Sequence, residues 1–334
     1  MNILITGAAG FLGSHLSARL VAAGHKVWAV DNLTTGQISK LDPLRDNPNF
    51  IFERCGIETP EFMKFCDAAD VKFDRVYDLA CPTGVPNIQK LGREMIEACS
   101  VGTWQVLEVA AKSGADFLLT SSSEIYGEPL VSPQSEEYTG NVDPLGPRAN
   151  YEEGKRFSET LVKWFADNKG LPAKIVRLFN VYGPNMGLTD TRVVPQFGAQ
   201  ALTGQPLTVH GDGSQSRTLC FVDDILDGFE LVISKGVPGN VYNLGSDRSL
   251  TMRQLAELII ELTNSSSPII SVPRASHDHS GRMPVLDKIR ALGWNEKVDL
   301  KDGLSLTLDH FKNRLTVEVQ SEPASVTDLS STPV

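Results

Sequence analysis

Short apolar runs rich in β-branched residues alternate along the chain with segments that have the periodicity of amphipathic helices. The pattern predicts strands over 2–6, 26–30, 50–54, 75–79, 116–120 and 174–178, and helices from about 11 and over 93–112, 150–168, 192–202, 222–233 and 252–262. Strands that are almost continuously apolar are typical of a parallel sheet covered on both faces. The pattern therefore predicts an α/β protein with a Rossmann-type, doubly wound parallel sheet.

The regular alternation becomes looser after about residue 183, where Pro and Gly recur and the elements shorten. We therefore expect a first domain over 1–180, which segment 217–247 joins, and a smaller C-terminal α/β region over 181–315. Residues 316–334 are rich in Ser, Thr, Pro and acidic residues and offer little to bury, so they are expected to form a disordered tail.

Composition excludes several classes of function. The 334 residues include 31 Lys and Arg against 41 Asp and Glu, a net charge of −10 that argues against a general nucleic-acid binder. The sequence shows no signal peptide and no apolar run near the roughly 20 residues that span a bilayer, so we expect no membrane association and a cytoplasmic location.

The five cysteines are scattered and expected to be reduced. No metal site is expected, because His277 and His279 lack a surrounding ligand cluster and a solvated loop is favoured for them.

A glycine-rich turn follows the first predicted strand directly. Gly7, Gly10 and Gly13 stand before a predicted helix, and Asp31 ends the second predicted strand. Such a turn brings the backbone and a helix N-terminus to a pyrophosphate, and an acid at the second strand accepts from the adenosine ribose. Since Asp31 would repel a 2′-phosphate, the sequence predicts NAD rather than NADP as cofactor.

A second candidate site combines a tyrosine and a lysine four residues apart with polar residues at a strand end. Tyr151 and Lys155 lie on one face of a predicted helix, where the ammonium of Lys155 and the nicotinamide charge are expected to lower the pKa of the phenol. Ser122 and Glu124 follow the predicted strand 116–120, at the sheet edge where parallel α/β proteins place their active sites. These residues predict a general base acting on a sugar hydroxyl.

Four segments carry a resemblance to a known family: 121–156, 177–186, 191–202 and 207–228. Over about residues 2–313 the chain resembles the extended short-chain dehydrogenase/reductase superfamily, and within it the UDP-glucuronate decarboxylase (UDP-xylose synthase) family. The resemblance implies an NAD-dependent lyase that oxidises C4 of UDP-glucuronate, releases CO2 from the 4-keto acid and returns the hydride, giving UDP-xylose. It assigns NAD binding to the first domain and nucleotide-sugar binding to region 181–315.

The resemblance also implies roles for individual residues. Catalysis is assigned to Ser122, Glu124, Tyr151, Lys155 and Arg282. Cofactor contacts are assigned to Gly7, Gly10, Phe11, Leu12, Gly13, Asp31, Asn32, Leu79, Tyr151 and Lys155, and substrate contacts to Pro82, Asn180, Arg192, Arg217 and Arg282. After oxidation, Glu124 and Arg282 are expected to orient the sugar ring and to manage protonation at C5. The family also pairs its subunits through the helices at 93–112 and 150–168, which implies a homodimer.

Three alternative functions remain, two of them enzymatic. A 4,6-dehydratase would need an acid beside Glu124, where Ser123 stands, and a 4-epimerase would not need Glu124. The third alternative is a nucleotide-sugar-binding protein without catalysis.

The sequence departs from the family pattern at three places. Gly56 replaces an adenine-contacting Asp, so one cofactor hydrogen bond is expected to be missing. Cys99 stands in a segment near the nicotinamide side, and the substrate loop at 81–88 lacks the family's tyrosine.

Overall fold

The computed structural model describes residues 1–188, 190–273 and 281–321. Its main feature is a seven-stranded sheet of order β11-β6-β5-β4-β1-β2-β3 in which every neighbouring pair is parallel. The predicted Rossmann-type sheet is therefore confirmed. The strands of this sheet are β1 (Asn2–Thr6), β2 (Lys26–Val30), β3 (Phe50–Glu53), β4 (Arg75–Asp78), β5 (Asp116–Ser122), β6 (Ala173–Leu178) and β11 (Val241–Leu244).

Helices connect the strands and cover both faces of the sheet. They are α1 (Phe11–Ala22), α2 (Pro60–Ala68), α3 (Val85–Lys90), α4 (Gly92–Glu97), α5 (Thr103–Ser113), α6 (Ala149–Lys169), α7 (Val193–Leu202), α8 (Val222–Lys235), α9 (Met252–Thr263), α10 (Asp287–Arg290) and α11 (Leu300–Ser321). Two 3-10 segments, Ile38–Leu44 and Ser123–Tyr126, and a π-helical turn, Ala98–Gly102, complete the helical structure.

The side chains of the strands alternate between two separate cores. On one face Ile3, Ile5 and Val176 pack in the core that also contains Leu16 of α1 and Phe229 of α8. On the other face Leu4, Phe117 and Ile175 pack in the core formed with α2, α5 and α6. This alternation follows from the period of two along a strand, and it explains why the strands carry apolar residues at nearly every position.

The smaller region lies beside the carboxyl end of β6 and is built from short strand pairs. These strands are β7 (Val181–Tyr182), β8 (Leu207–His210), β9 (Ser216–Thr218), β10 (Cys220–Phe221), β12 (Ser249–Thr251) and β13 (Ile269–Val272). β7 pairs with β10 and β8 with β13 in parallel, whereas β9 and β12 are antiparallel. Helices α7, α9 and α11 pack against one another over these strands.

Two expectations about the course of the chain need correction. The helix predicted over 93–112 is interrupted, because the π-helical turn Ala98–Gly102 separates α4 from α5. The expected tail also begins too early: α11 continues to Ser321, beyond the predicted start at 316.

Other expectations stay predictions. Residues 322–334, His277 and His279 lie outside the described part of the chain. The division into two domains also stays a prediction. Within segment 217–247, β11 pairs with β6 of the main sheet. Among the described residues, none of the helices has the length and apolar character needed to cross a bilayer.

Candidate active site

The turn after β1 is shaped by two glycines that leave no room for side chains. Gly7 has a φ of 66°, and a Cβ there would lie 2.9 Å from the backbone of Leu79 at the end of β4. A Cβ at Gly13 would lie 2.1 Å from the carbonyl oxygen of Gly7. The chain therefore passes close to the start of α1, whose N-cap is Gly10, and leaves a bare backbone cradle at a helix N-terminus.

Asp31 lies at the carboxyl end of β2 and faces this cradle. Its Oδ2 accepts a hydrogen bond from the backbone N–H of Ala9 at 2.9 Å, and its Oδ1 accepts from Leu33 N–H at 2.8 Å. Burial raises the pKa of this carboxyl group, and the two backbone hydrogen bonds oppose the rise. The other residues assigned to the cofactor lie at neighbouring positions. Phe11 and Leu12 begin α1, and Leu79 follows β4. The side-chain oxygen of Asn32 accepts a hydrogen bond from the backbone N–H of Thr34. The glycine cradle and an acid fixed beside it fit a dinucleotide.

Ser122, Tyr151 and Lys155 come together at the carboxyl end of β5. The hydroxyl of Ser122 and the ammonium of Lys155 both lie close enough to the phenol of Tyr151 to lower its pKa. Lys155 is buried and donates to the carbonyl oxygen of Thr120 at 2.9 Å. β5 and the first two turns of α6 thus position the three groups that the sequence predicted to act together.

The pKa of Tyr151 differs from the sequence expectation. Burial raises the pKa of the phenol to about 12, although Lys155 and Ser122 pull it down. For Lys155, burial disfavours the charge, but the neighbouring Cys81, Cys99 and Tyr151 raise its pKa above the usual value. Protein groups alone therefore leave Tyr151 protonated, and a further cation beside the phenol is needed to make it a base near neutral pH.

Glu124 is held between two arginines. Both of its oxygens accept from Arg282, and it also pairs with Arg148, which in turn donates to Glu152 at 3.2 Å. The side chains of Arg282, Arg148 and Glu124 are 10%, 16% and 21% exposed. Burial favours the neutral acid, but the two guanidinium groups outweigh it and lower the pKa of Glu124 to about 2. The sequence predicted Glu124 and Arg282, but it missed Arg148, which stands directly before α6.

Three further residues assigned to the substrate have contacts within the protein. Pro82 is buried directly after Cys81, and exposed Asn180 donates to the carbonyl oxygen of Thr218 at 3.2 Å. Arg217 donates to the carbonyl oxygen of Ser216 and makes further contacts. Their roles toward a substrate stay predictions.

Arg192 lies beside the cofactor turn rather than beside Tyr151 and Glu124. Its guanidinium pairs with Asp190 at 2.6 Å and lies 5.7 Å from the centre of the Phe11 ring. Arg192 thus contacts one of the residues assigned to the cofactor, and its role toward a diphosphate also stays a prediction.

Two further carboxylates were not predicted from the sequence. The carboxyl group of Glu58 occupies the space beside Gly56, within 2.2 Å of where a Cβ at position 56 would be. Asp78 is fully buried at the end of β4 and accepts from the hydroxyl of Thr6 at 2.7 Å. Glu58 therefore brings an acid to the place where the sequence suggested that one was missing, and only its position in space could have revealed this.

One group of three potential metal ligands occurs among the described residues: Cys220, Asp224 and Glu296. Both oxygens of Asp224 accept backbone N–H groups, from Lys297 and Val298, and Glu296 pairs with Arg248. These side chains are committed to contacts that hold the C-terminal segment to α8.

Residues 3–245 match the family described as the NAD dependent epimerase/dehydratase family. The chain belongs to this family. The membership confirms the resemblance drawn from the sequence and the expected dependence on NAD, and it agrees with the cradle formed by Gly7, Gly13 and Asp31.

Similar proteins refine this result. UDP-glucuronic acid decarboxylase 3 of Arabidopsis thaliana is 40% identical over 319 residues, which cover 95% of the chain and 91% of that protein. UDP-glucuronic acid decarboxylase 1 of Xenopus tropicalis is 37% identical over 322 residues, which cover 96% of the chain and 74% of that protein.

Among solved structures, a UDP-glucose 4-epimerase of Thermotoga maritima bound to UDP-glucose has a TM-score of 0.86 and 31% identity. This match covers 94% of the chain and 100% of the epimerase. The Thermus thermophilus UDP-glucose 4-epimerase in complex with NAD has a TM-score of 0.81 and 26% identity, over 93% and 99% of the two chains.

Proposed function

We propose that this chain is an NAD-dependent UDP-glucuronate decarboxylase that forms UDP-xylose through a 4-keto intermediate. The single observation that carries the proposal is the Glu124 carboxylate, held by Arg148 and Arg282 beside Ser122 and Tyr151. Oxidation of a sugar hydroxyl needs only the Ser122, Tyr151 and Lys155 arrangement. The added ionic cluster supplies fixed charges for a substrate that carries a carboxylate and loses it. The names of the similar decarboxylases support the same conclusion.

NAD, when bound, supplies the oxidant for C4, the reductant that restores it, and a positive nicotinamide ring. Tyr151 acts as a phenolate, which the charge of Lys155 stabilises, and takes the proton of the C4 hydroxyl. Ser122 hydrogen-bonds the same oxygen and then stabilises the enolate that forms when CO2 leaves the 4-keto acid. Because β5 and α6 already place these groups beside one another, the site needs little rearrangement before it acts.

Glu124 serves as a fixed carboxylate in this proposal. With a pKa of about 2 it stays ionised near neutral pH, so it carries no proton to give to C5. This changes the role expected from the sequence, where Glu124 and Arg282 were to manage protonation. Glu124 instead orients Arg282 and Arg148 toward the sugar ring.

The experiment that tests the proposal measures CO2 and UDP-pentose formed from UDP-glucuronate, with NADH absorbance followed by stopped flow. Tyr151→Phe should lose both NADH formation and CO2 release by a factor on the order of 10² to 10⁴. Glu124→Ala and Arg282→Ala should still form NADH in a single turnover but release CO2 slowly, so the NADH signal persists. Tyr138→Phe, a phenol outside the cluster, is the matched control.

Two results would count against this function, and a third would count against the roles given to Glu124 and Tyr151. Formation of a UDP-hexuronate epimer without CO2 would indicate an epimerase, and no reaction despite tight UDP-sugar binding would indicate a binding protein. Equal loss of the NADH signal in Glu124→Ala and Tyr151→Phe would contradict the separate roles of the two residues.

A homodimer is part of the proposal. Five large apolar side chains on α4, the π-helical turn, α5 and α6 are 41% to 51% exposed: Ile96, Val101, Trp104, Phe157 and Trp164. These helices pack against each other, and the rings of Trp104 and Trp164 lie 5.7 Å apart. Exposed aromatic residues grouped in this way are typical of the core of an interface, which supports the pairing expected from the sequence.

Light scattering at micromolar concentration should give twice the chain mass. Trp164→Lys should shift the mass toward a monomer, whereas Leu145→Lys, at a 94% exposed position outside this surface, should leave it unchanged. A monomer mass for the unmodified protein would reject the dimer. The cytoplasmic location stays a prediction.

A further inference from the structure

Two cysteines that belong to different elements meet beside the candidate active site. Cys81 follows β4 and leads into Pro82, while Cys99 lies in the π-helical turn between α4 and α5. Their sulfur atoms are 3.6 Å apart, and one thiol donates a hydrogen bond to the other. We propose that Cys81 and Cys99 form an oxidation site at which a hydroperoxide generates a disulfide that blocks the enzyme.

The positions of the two residues make the bond possible with a small movement. A disulfide needs the sulfur atoms at about 2.05 Å, so they must approach by about 1.5 Å. Cys81 lies on a loop and is partly exposed, whereas Cys99 is 1% exposed and fixed in the helical segment. The loop side can therefore move toward the helix side.

The charges around the pair favour a reactive thiolate. The hydrogen bond from Cys81 and the positive charge of Lys155 lower the pKa of the Cys99 thiol, against the effect of burial and of Asp78. A thiolate beside a cation is the nucleophilic form of cysteine. The same ammonium makes the place unsuitable for a metal cation, so oxidation is the chemistry that the pair supports.

The reaction balances with a peroxide as the only added reactant. The Cys99 thiolate attacks the O–O bond of hydrogen peroxide, which gives a sulfenic acid and hydroxide. The sulfur of Cys81 then attacks the sulfenic sulfur, and its thiol proton leaves with the sulfenic oxygen as water, while the proton that Cys99 lost on forming the thiolate neutralises the hydroxide. Two thiols and one peroxide thus give one disulfide and two waters, and the two sulfur atoms supply both electrons.

The other three cysteines lack these features. Burial raises the pKa of Cys55 to about 11 and that of Cys66 to about 12, and it also raises that of Cys220. Cys99 is buried as well, so the difference lies in the pKa. Thiols with raised pKa values stay protonated near neutral pH and react slowly with peroxide, so these three serve as internal controls.

The consequence for activity rests on the proposed function. Cys99 packs on α6, where its carbonyl oxygen accepts from the Ser158 hydroxyl at 2.7 Å and its side chain lies against Gly154. The same helix carries Tyr151 and Lys155. A disulfide would pull the loop at Pro82 by more than 1 Å toward the π-helical turn that packs on α6, and a displacement of that size can lower the rate about 10²-fold.

Mass spectrometry tests the bond independently of activity. The full chain is treated with hydrogen peroxide, free thiols are alkylated, and the protein is digested with trypsin. Cleavage after Lys90 and Arg93 places Cys81 and Cys99 in separate peptides, so a disulfide appears as a linked pair lacking two hydrogens. We expect this link in the treated protein and its loss after dithiothreitol.

Activity measurements with matched variants complete the test. Peroxide should lower UDP-glucuronate decarboxylation about tenfold or more, and dithiothreitol should restore it. Cys81→Ser and Cys99→Ser should each abolish the reversible loss relative to their own untreated rates, and Cys220→Ser should keep it. If Cys99→Ser fails to fold, Cys81→Ser still decides.

Two results would overturn the proposal. The first is peroxide treatment that leaves both cysteines alkylated or converts them to sulfinic acids without a link. The second is a link that forms without any change in rate. If the chain has no decarboxylase activity, the linked peptide still forms or fails to form, so failure of the proposed function remains distinguishable from failure of the disulfide.

Discussion

Replacing Glu124 by Gln tests the ionic cluster through stability. In the folded protein the pKa of the Glu124 carboxyl group falls from 4.5 to about 2. This shift corresponds to about 3 kcal/mol of favourable interaction with Arg148 and Arg282. Removing the carboxylate leaves two largely buried guanidinium groups facing each other, so the free energy of unfolding at pH 7 should fall by about 3 kcal/mol. Glu137→Gln, at a side chain 87% exposed, should change it by less than about 0.5 kcal/mol.

The stability difference between the unmodified protein and Glu124→Gln should change with pH in one direction. Because the folded-state pKa lies below the unfolded value, the contribution is complete above about 4.5 and is lost as the pH falls toward 2. At pH 3.5 the advantage of the unmodified protein over Glu124→Gln should be smaller by about 1.4 kcal/mol than at pH 7. Urea denaturation at a series of pH values measures both quantities. A difference at pH 7 no larger than that of Glu137→Gln, or one that grows on acidification, would refute the reasoning.

Two predictions concern the cofactor. Calorimetry should show NAD⁺ binding at least about tenfold more tightly than NADP⁺, because the Asp31 carboxylate repels a 2′-phosphate; equal affinities would contradict this. Glu58→Ala should weaken NAD⁺ binding several-fold, because the Glu58 carboxyl group fills the space beside Gly56 and replaces the acceptor missing there. Glu61→Ala, at a side chain 60% exposed, should bind as the unmodified protein does, and the same affinity for both variants would reject a role for Glu58.

The sequence predicted the central sheet well because its strands are short apolar runs with clear ends. Residues 2–6 and 26–30 match β1 and β2 at both ends, and β5 continues only two residues beyond the predicted 116–120. By contrast, the π-helical turn at Ala98–Gly102 was missed, since its five residues are too few to show a period of their own between two α-helices. Helical periodicity alone therefore located the segment but not this interruption.

At the candidate site, the sequence identified residues that are close in the chain or belong to a motif. Tyr151 and Lys155 are separated by one helical turn, and Gly7 to Gly13 form one continuous turn. Arg148 was missed because a single arginine in a loop resembles a surface charge until Glu124 is seen beside it. The sequence also predicted that Lys155 lowers the pKa of Tyr151, but it could not show that burial raises this pKa, because burial is a property of the whole fold.

The position of β11 at the edge of the main sheet has a consequence for how the protein is made. The chain completes β6 at Leu178, builds much of the smaller region, and only then returns through α8 and β11. Until α8 arrives, the sheet face that holds Val176 lacks Phe229 and the other apolar side chains of that helix. A nascent chain that ends near residue 180 therefore exposes a wide apolar surface on the ribosome. We expect residues 1–180 expressed alone to aggregate, and chaperone contact during synthesis to end only after α8 and β11 have emerged.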